Sequence, residues 1–261
     1  MLSLAGIVPA TPLHIPEVSG TEVTNVPETT NAYLKLAVKI HSLAPDVLIV
    51  LSAKAPILHH RFAIAEGVSL VRFFSSNIDA NKVVDIRFPV AKAETAELEQ
   101  LAFNEKVPTE RYHQEHEVVA LDDGSLSLFY YLAHVQCFPK SILLSTSDLS
   151  QDAYVHLGNA VGKFASESSQ KVVVLIADHL YQISSGNTED FLKSIRMHNY
   201  STLLAEPESQ YRDDGQTMFF SLSFLDAVMR SAFTQPPKHH FLGADSYHEE
   251  HYVVSYFDEK N

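Results

Sequence analysis

Cysteine is almost missing from this chain. The lone Cys137 excludes an internal disulfide and any cysteine-rich zinc module. Glycine is scarce, at 9 residues. Neither G-x-x-x-x-G-K-S/T nor G-x-G-x-x-G occurs, which argues against a phosphate-cradling loop. No apolar run approaches the roughly 20 residues that a membrane helix needs. Basic residues are in deficit: 19 Lys and Arg against 32 Asp and Glu leave a net charge of −13. That balance argues against a nucleic-acid face and against an anionic membrane surface. Low-complexity tracts, heptads and internal repeats are absent, and so is a G-x-S-x-G nucleophile elbow. Met1 to Ile7 is apolar without a basic flank, unlike a signal peptide. The expectation is a soluble, cytoplasmic protein with no nucleic-acid and no membrane partner.

Histidine is the entry in excess, with 14 in 261 residues. Protonating all of them would move the net charge from −13 to +1. Solubility is therefore expected to pass through a minimum near pH 5–6, where ordinary imidazoles charge. A solubility curve across that window checks this. With 46% hydrophobic and 20% charged residues, a chain of this length can bury a large core.

Short β-branched runs alternate with helical patterns from end to end. Leu2–Val8, Val47–Ser52, Ser141–Leu144 and Lys171–Ile176 read as buried strands. Shorter strands are expected at Phe62–Ile64, Leu70–Phe74, Val83–Phe88, Val118–Leu121, His240–Leu242 and Tyr252–Phe257. Helices are expected at Glu28–Leu43, Ala93–Asn104, Leu126–Leu132, Asp152–Ser166, Thr188–Leu204 and Gly215–Phe233. The first of these carries a stripe of Leu34, Ala37, Val38 and His41. Residues 9–27, with four prolines, read as a loop. Wholly apolar strands suit a sheet covered on both faces. The pattern implies α/β class, a three-layer α/β/α sandwich around a mostly parallel or mixed central sheet. No linker divides the chain, so one domain over 1–261 is expected.

In such sheets, ligands bind where loops leave the carboxyl ends of strands. Four loops qualify: Pro9-Ala-Thr-Pro-Leu-His14, Ser52-Ala-Lys-Ala-Pro56, Asp122-Asp-Gly124 and Ala177-Asp-His-Leu-Tyr-Gln182. Each sets polar groups beside small or cyclic residues, which suits a shaped pocket and suits ordinary loops as well. His113-x-x-His116 and His248-Glu-Glu-His251 have spacings open to a divalent metal. Such spacing is common by chance, and solvated or hydrogen-bonded histidine is the preferred reading of each. His239-His240 follows two prolines and reads as surface. Asp148-Leu-Ser150 reads as a helix N-cap region, and Cys137 as a small buried filler.

In order and spacing, these loops resemble the B-subunit type of class III extradiol ring-cleavage dioxygenases, including the branch related to the Memo proteins. The family's Pro-His-x-Pro loop, followed by Leu and Ile-Pro-Glu, is similar to Pro9-Ala-Thr-Pro-Leu-His-Ile-Pro-Glu17. Its Pro-Asp strand running into Ser-Pro-His-Gly-Pro resembles Pro45-Asp-Val-Leu-Ile-Val-Leu-Ser-Ala-Lys-Ala-Pro56. Its Leu-Asp-His-Gly-Thr-Leu segment resembles Leu121-Asp-Asp-Gly-Ser-Leu126. Ser145-Thr-Ser-Asp-Leu-Ser150, with the following helix through His156, resembles its middle segment. Ala177–Gln182 resembles Ser-Gly-Asp-Leu-Ser-His, and Asp213-Asp-Gly215 resembles Glu-Cys-Gly. Ser246–Tyr256 resembles the closing strand. The resemblance spans nearly the whole chain.

What it implies is an Fe(II) enzyme with two histidines and a carboxylate on the metal, pocket histidines beside it, and homo- or hetero-oligomeric assembly. The matching positions here hold Ala10 and Lys54 for the iron histidines and Asp213 for the metal glutamate. Asp123 and Gln182 stand for the pocket histidines. Alanine has no lone pair, and lysine at neutral pH is a cation rather than a ligand. The resemblance therefore implies the family's fold with a decayed iron site and no cofactor. Such a chain would be a non-catalytic partner subunit or a small-molecule binder. The remnant pocket would comprise Ala10, His14, Lys54, Asp123, His179, Gln182 and Asp213. The Lys54 ammonium is expected to pair with Asp123, Asp213 or both in place of the metal's charge. Solvated loop residues are the plainer alternative. The rival is an enzyme: a ring-cleaving dioxygenase with Fe(II) on relocated ligands (His14, His59 or His60, with Asp213), or a metal-free activity using Lys54.

Overall fold

The computed structural model describes residues 1–78, 83–113, 117–178, 180–181, 213–248 and 250–259, with backbone alone at 180–181 and 213–217. Twelve strands are seen among them: β1 (Leu2–Pro9), β2 (Val47–Ser52), β3 (Phe62–Ala65), β4 (Ser69–Ser75), β5 (Val83–Pro89), β6 (Thr109–Tyr112), β7 (Val118–Ala120), β8 (Lys140–Ser145), β9 (Val172–Asp178), β10 (Leu180–Tyr181), β11 (Lys238–Tyr247) and β12 (Glu250–Asp258). The α-helices are α1 (Pro16–Ser19), α2 (Pro27–Leu43), α3 (Lys92–Asn104), α4 (Asp123–His134), α5 (Gln151–Glu167) and α6 (Asp213–Ala232).

The main sheet runs β10-β12-β1-β9-β2-β8-β3-β6, with β11 outside β12. Its centre, β1-β9-β2-β8, is parallel, and β12 and β3 flank it antiparallel. The sheet is thus mixed. Its central strands are apolar at every turn of the pleat because both faces are covered. Val47, Ile49 and Leu51 of β2 point to a core shared with α3, α5 and α6. Leu48 and Val50 point to a second core, under α2, α4 and a small sheet ordered β5-β4-β7. This is the expected three-layer arrangement.

α5 and α6 pack closely because α5 carries Gly158 and Gly162. A Cβ on Gly158 would lie 2.4 Å from the Phe224 carbonyl oxygen.

Several local expectations are corrected. The stripe on α2 lies on its other side. Ala32, Tyr33, Leu36, Ala37 and Ile40 are buried, whereas Leu34, Val38 and His41 are exposed. Of the expected stripe, Ala37 alone faces the core. Residues 9–27 are mostly short helical turns: Pro12–His14, α1 and Gly20–Asn25. Proline opens the first two of these, since its fixed φ and missing N–H suit a first helical position. β6 and β10 are strands the pattern did not expose, being four and two residues long. His239 and His240 are half-buried in β11 rather than loose at the surface. His239 stacks on Phe257 and His240 on Tyr256, with ring centroids 4.7 and 4.5 Å apart. Cys137 is buried, as expected of a filler. The helix expected over 188–204 lies outside the described residues, as does His116.

Candidate functional site at the carboxyl ends of the parallel strands

Four parallel strands end side by side, and backbone bonds fasten their exits together. The Ala10 amide donates to the Asp178 carbonyl at 3.1 Å, Ala53 to Ala177 at 2.9 Å and Thr146 to Ser52 at 3.2 Å. Three of these strands end in buried polar residues, Ser52, Ser145 and Asp178, and β1 ends in Pro9.

Asp122 organises one half of this end. It is the N-cap of α4, and its Oδ1 accepts from the Gly124 and Ser125 amides at 2.8 and 2.9 Å. Ser52 Oγ donates to the same oxygen at 2.6 Å, and Ser125 Oγ donates to Oδ2 at 2.8 Å. An aspartate at an N-cap satisfies amides that the helix leaves open. Here it also ties α4 to the exit of β2. The approach is close enough to need glycine. A Cβ on Gly124 would meet Ser52 Oγ at 2.8 Å, Asp122 Oδ1 at 2.9 Å and the Lys54 Cβ at 3.0 Å. The second and third predicted loops therefore touch. The first joins them through Ser127 Oγ, which donates to the Thr11 carbonyl at 2.6 Å.

Asp178 occupies the other half. It ends β9, is 5% exposed, and accepts from Ser221 Oγ of α6 at 2.7 Å. The Tyr154 ring stands near it. Burial, with the Asp178 charge adding to it, holds the Tyr154 phenol well above its usual value. Tyr154 Oη donates to the Ser147 carbonyl and accepts from the Ser147 amide, both at 2.7 Å. Asp178 directly precedes the expected pocket residue His179, and the motif pattern does not mark it. The signal that could have found it is an acid closing an otherwise apolar strand.

The predicted residues divide sharply. Ala10 is buried at the exit of β1 and offers only a methyl group. Lys54 is exposed on the loop after β2. Asp123 is exposed as well, and its Oδ1 accepts from Arg72 at 2.7 Å, so the expected Lys54–Asp123 pair is not formed. His14 is fully buried. Its ring lies 5.1 Å from that of Tyr33 and 5.3 Å from that of Tyr252, and its Nδ1 is 3.5 Å from Thr29 Oγ1. Thr29 in turn donates from its hydroxyl and amide to Asp245 Oδ2, at 2.8 and 2.7 Å. Tyr33 and Tyr131 clamp the same loop by donating to the carbonyls of Pro9 and His14 at 2.5 and 2.6 Å. Burial pushes the Tyr131 phenol up to about 12, with the Glu17 charge adding to it.

His59 and His60 sit at the opposite extreme, both exposed. Asp148 holds them: its Oδ1 accepts from the His60 amide at 2.6 Å, and its Oδ2 lies 3.1 Å from His59 Nδ1. These bonds, the His60 amide first, keep the Asp148 carboxyl below its usual range. His179 and Gln182 lie outside the described residues, and so does the side chain of Asp213, whose backbone opens α6. Among the described residues, no three His, Cys, Asp or Glu side chains gather as a metal set. At the positions matching the iron histidines, Ala10 offers a methyl group and Lys54 an exposed lysine side chain, a pair that does not suit iron, and at a pocket-histidine position Asp123 is already held by Arg72.

An open cleft of about 460 Å³, not foreseen in the sequence, lies between the end of α3 and the first turns of α5. It is lined by Asn104, Glu105, Lys106, Asp152 and His156 among others. His156 Nδ1 is 3.5 Å from Glu105 Oε2.

No protein-family model and no curated protein matches the sequence. The fold does have a solved counterpart in the crystal structure of the uncharacterized protein JW3007 from Escherichia coli K12. It aligns with a TM-score of 0.58 over 97% of this chain and 99% of that one, at 13% identity. At that identity the likeness is one of fold.

Proposed function

We propose that this chain is a relative of the class III extradiol dioxygenase B subunits that has exchanged its iron site for a hydrogen-bonded polar floor. It serves as a small-molecule-binding or partner subunit and not as a ring-cleaving catalyst. The observation that carries this reading is the state of Asp122. Four donors, from Ser52, Gly124 and Ser125, already hold its two oxygens. A carboxylate so occupied is a structural fastener, its oxygens already committed to donors of the protein itself. The neighbouring Ala10 and Lys54 supply no lone pair at neutral pH. The ordered set of loop motifs along the chain supports the family reading.

The test is metal content and turnover on the same preparation. Protein purified and then incubated anaerobically with ferrous salt is expected to retain no stoichiometric iron after desalting, and to leave catechols uncleaved in air. Stoichiometric iron together with ring cleavage would establish the rival, an enzyme with relocated ligands. A thermal-shift screen of small polar carboxylates and phenols then reads the binding function directly. A saturable rise that is lost in Lys54→Ala supports it, and a flat screen rejects it.

A further inference from the structure

We propose that Ser246 and His251 form a nucleophile–base pair that hydrolyses small aryl esters. The inference concerns the β11–β12 hairpin and does not rest on the state of the iron site.

The ladder builds the pair. β11 and β12 run antiparallel, with Ser246 directly opposite His251 and Tyr247 opposite Glu250. The tight turn between them starts at His248, whose φ is 50°. Directly opposed residues share a face of the sheet, and Ser246 Oγ lies 2.7 Å from His251 Nδ1. On its other side β12 pairs with β10, where Leu180 stands opposite His251. The backbone under the imidazole is thus held from both sides. β12 runs antiparallel to β1, so its first residues sit at the carboxyl end of the parallel strands. There β1 and β9 stand between them and β2. Ala244 and Val253 pack into the core shared with α6, and Ser246 and His251 continue that face. Asp245 and Tyr252 take the opposite face, against Thr29 and His14.

The histidine's partner sets its chemistry. His59, His156 and His240 lie against the carboxylates of Asp148, Glu105 and Asp258. Such partners favour the charged ring. His251 lies against a hydroxyl instead. Burial holds its pKa below the ordinary histidine value, so at neutral pH the ring is uncharged. Its neighbour Glu250 accepts from Tyr252 Oη at 2.6 Å. With the ring proton on Nε2, Nδ1 accepts from Ser246 Oγ and is placed to take its proton. Ser246 is exposed, so the carbonyl of a small ester can reach its oxygen. In the first step, Ser246 Oγ adds to the carbonyl carbon as its proton passes to His251 Nδ1. The tetrahedral adduct collapses to an acyl-serine, and the phenolate leaves with that proton. Water then adds to the acyl carbon and gives one proton to Nδ1. Collapse frees the carboxylic acid as Ser246 Oγ takes the proton back. A phenol, with a pKa of about 10, leaves with little assistance. That suits an exposed pair on a hairpin, which lacks the strand-to-helix turn of a nucleophile elbow.

The experiment treats the full chain with 4-nitrophenyl acetate and, separately, with a fluorophosphonate. It reads nitrophenolate release and the mass of the modified peptide. An acetyl or phosphonyl group on Ser246 is expected. Ser246→Ala is expected to lose that adduct, and His251→Gln to slow its formation at least about a hundredfold. The wild-type rate of Ser246 acylation is expected to rise with pH to a plateau. Its midpoint should lie below the ordinary histidine value of about 6.5. Melting temperatures check the fold of both variants, and if His251→Gln melts lower, the wild-type pH profile decides. A label found only on lysine or histidine side chains overturns the proposal. So does ester turnover by Ser246→Ala at the wild-type rate, or acylation indifferent to His251→Gln. An acylation rate that climbs with pH and never levels off reduces the pair to a structural hydrogen bond and overturns it as well.

Discussion

The loops after β1 and β2 leave the same end of the sheet, one on either side of β9, and treat their histidines in opposite ways. After β1, His14 is enclosed by Tyr33 and Tyr252, and its loop is clamped by the Tyr33 and Tyr131 hydroxyls. After β2, His59 and His60 are exposed and rest on Asp148. The difference follows from what covers each loop. α2 and α4 close over the first, so its polar groups must find partners within the protein. The second lies at the rim, where water competes for every bond. Proximity to the carboxyl ends of the strands therefore does not make a histidine part of a site. What decides is whether helices bury it there and which partners they bring.

The covered side should be costly to disturb and the rim nearly indifferent. Asp122→Ala removes the α4 cap and strands the Ser52 and Ser125 hydroxyls. It is expected to cost about 2–4 kcal/mol in chemical denaturation. A loss under about 0.5 kcal/mol would mean that water replaces the carboxylate and that this end of the sheet is open. His14→Ala leaves a cavity between Tyr33 and Tyr252 and is expected to cost about 2–3 kcal/mol. Tyr33→Phe deletes one buried hydroxyl and orphans the Pro9 carbonyl, at about 1–2 kcal/mol. His59→Ala, at the exposed rim, is expected to change stability by less than about 0.5 kcal/mol.

The pH dependence sharpens the same contrast. Asp148 has its folded carboxyl below the usual range, so its bonds contribute above the ordinary carboxylate pKa and are lost as pH falls through the lower folded value. Because the His60 amide is the first cause, His59→Ala should return the Asp148 pKa only part of the way. A carboxyl-detected NMR titration of both forms checks this. Complete return to the ordinary value would assign the shift to His59 instead.

Much of the scaffold was readable in the chain. The run Val47–Ser52 is β2 to the residue, because a six-residue apolar stretch bounded by Pro45-Asp46 suits a doubly covered strand. α2 was readable as a helix but not in its facing. Leu34 and Val38 share a stripe as apolar as that of Leu36 and Ile40, and only the sheet beneath decides which one is buried. β6 and β10 were not readable, since two to four residues carry too little pattern. At the candidate site the four loops were identifiable, and they are bonded together here, the fourth through the carbonyls of Ala177 and Asp178. The motif points to Asp123, however, and not to Asp122. Adjacent aspartates look alike in a sequence, and the cap geometry alone separates a fastener from an exposed acid.

The amino-acid sequence by itself determined the class of fold, the order of most elements and the loops that meet at one end of the sheet. Those features follow from local patterns of apolar spacing, proline and small polar residues. Only the tertiary structure decided which side chains the loops present. Whether His14 is buried, Asp122 consumed and Asp123 held by Arg72 depends on contacts between segments far apart in the chain, and no local pattern encodes them.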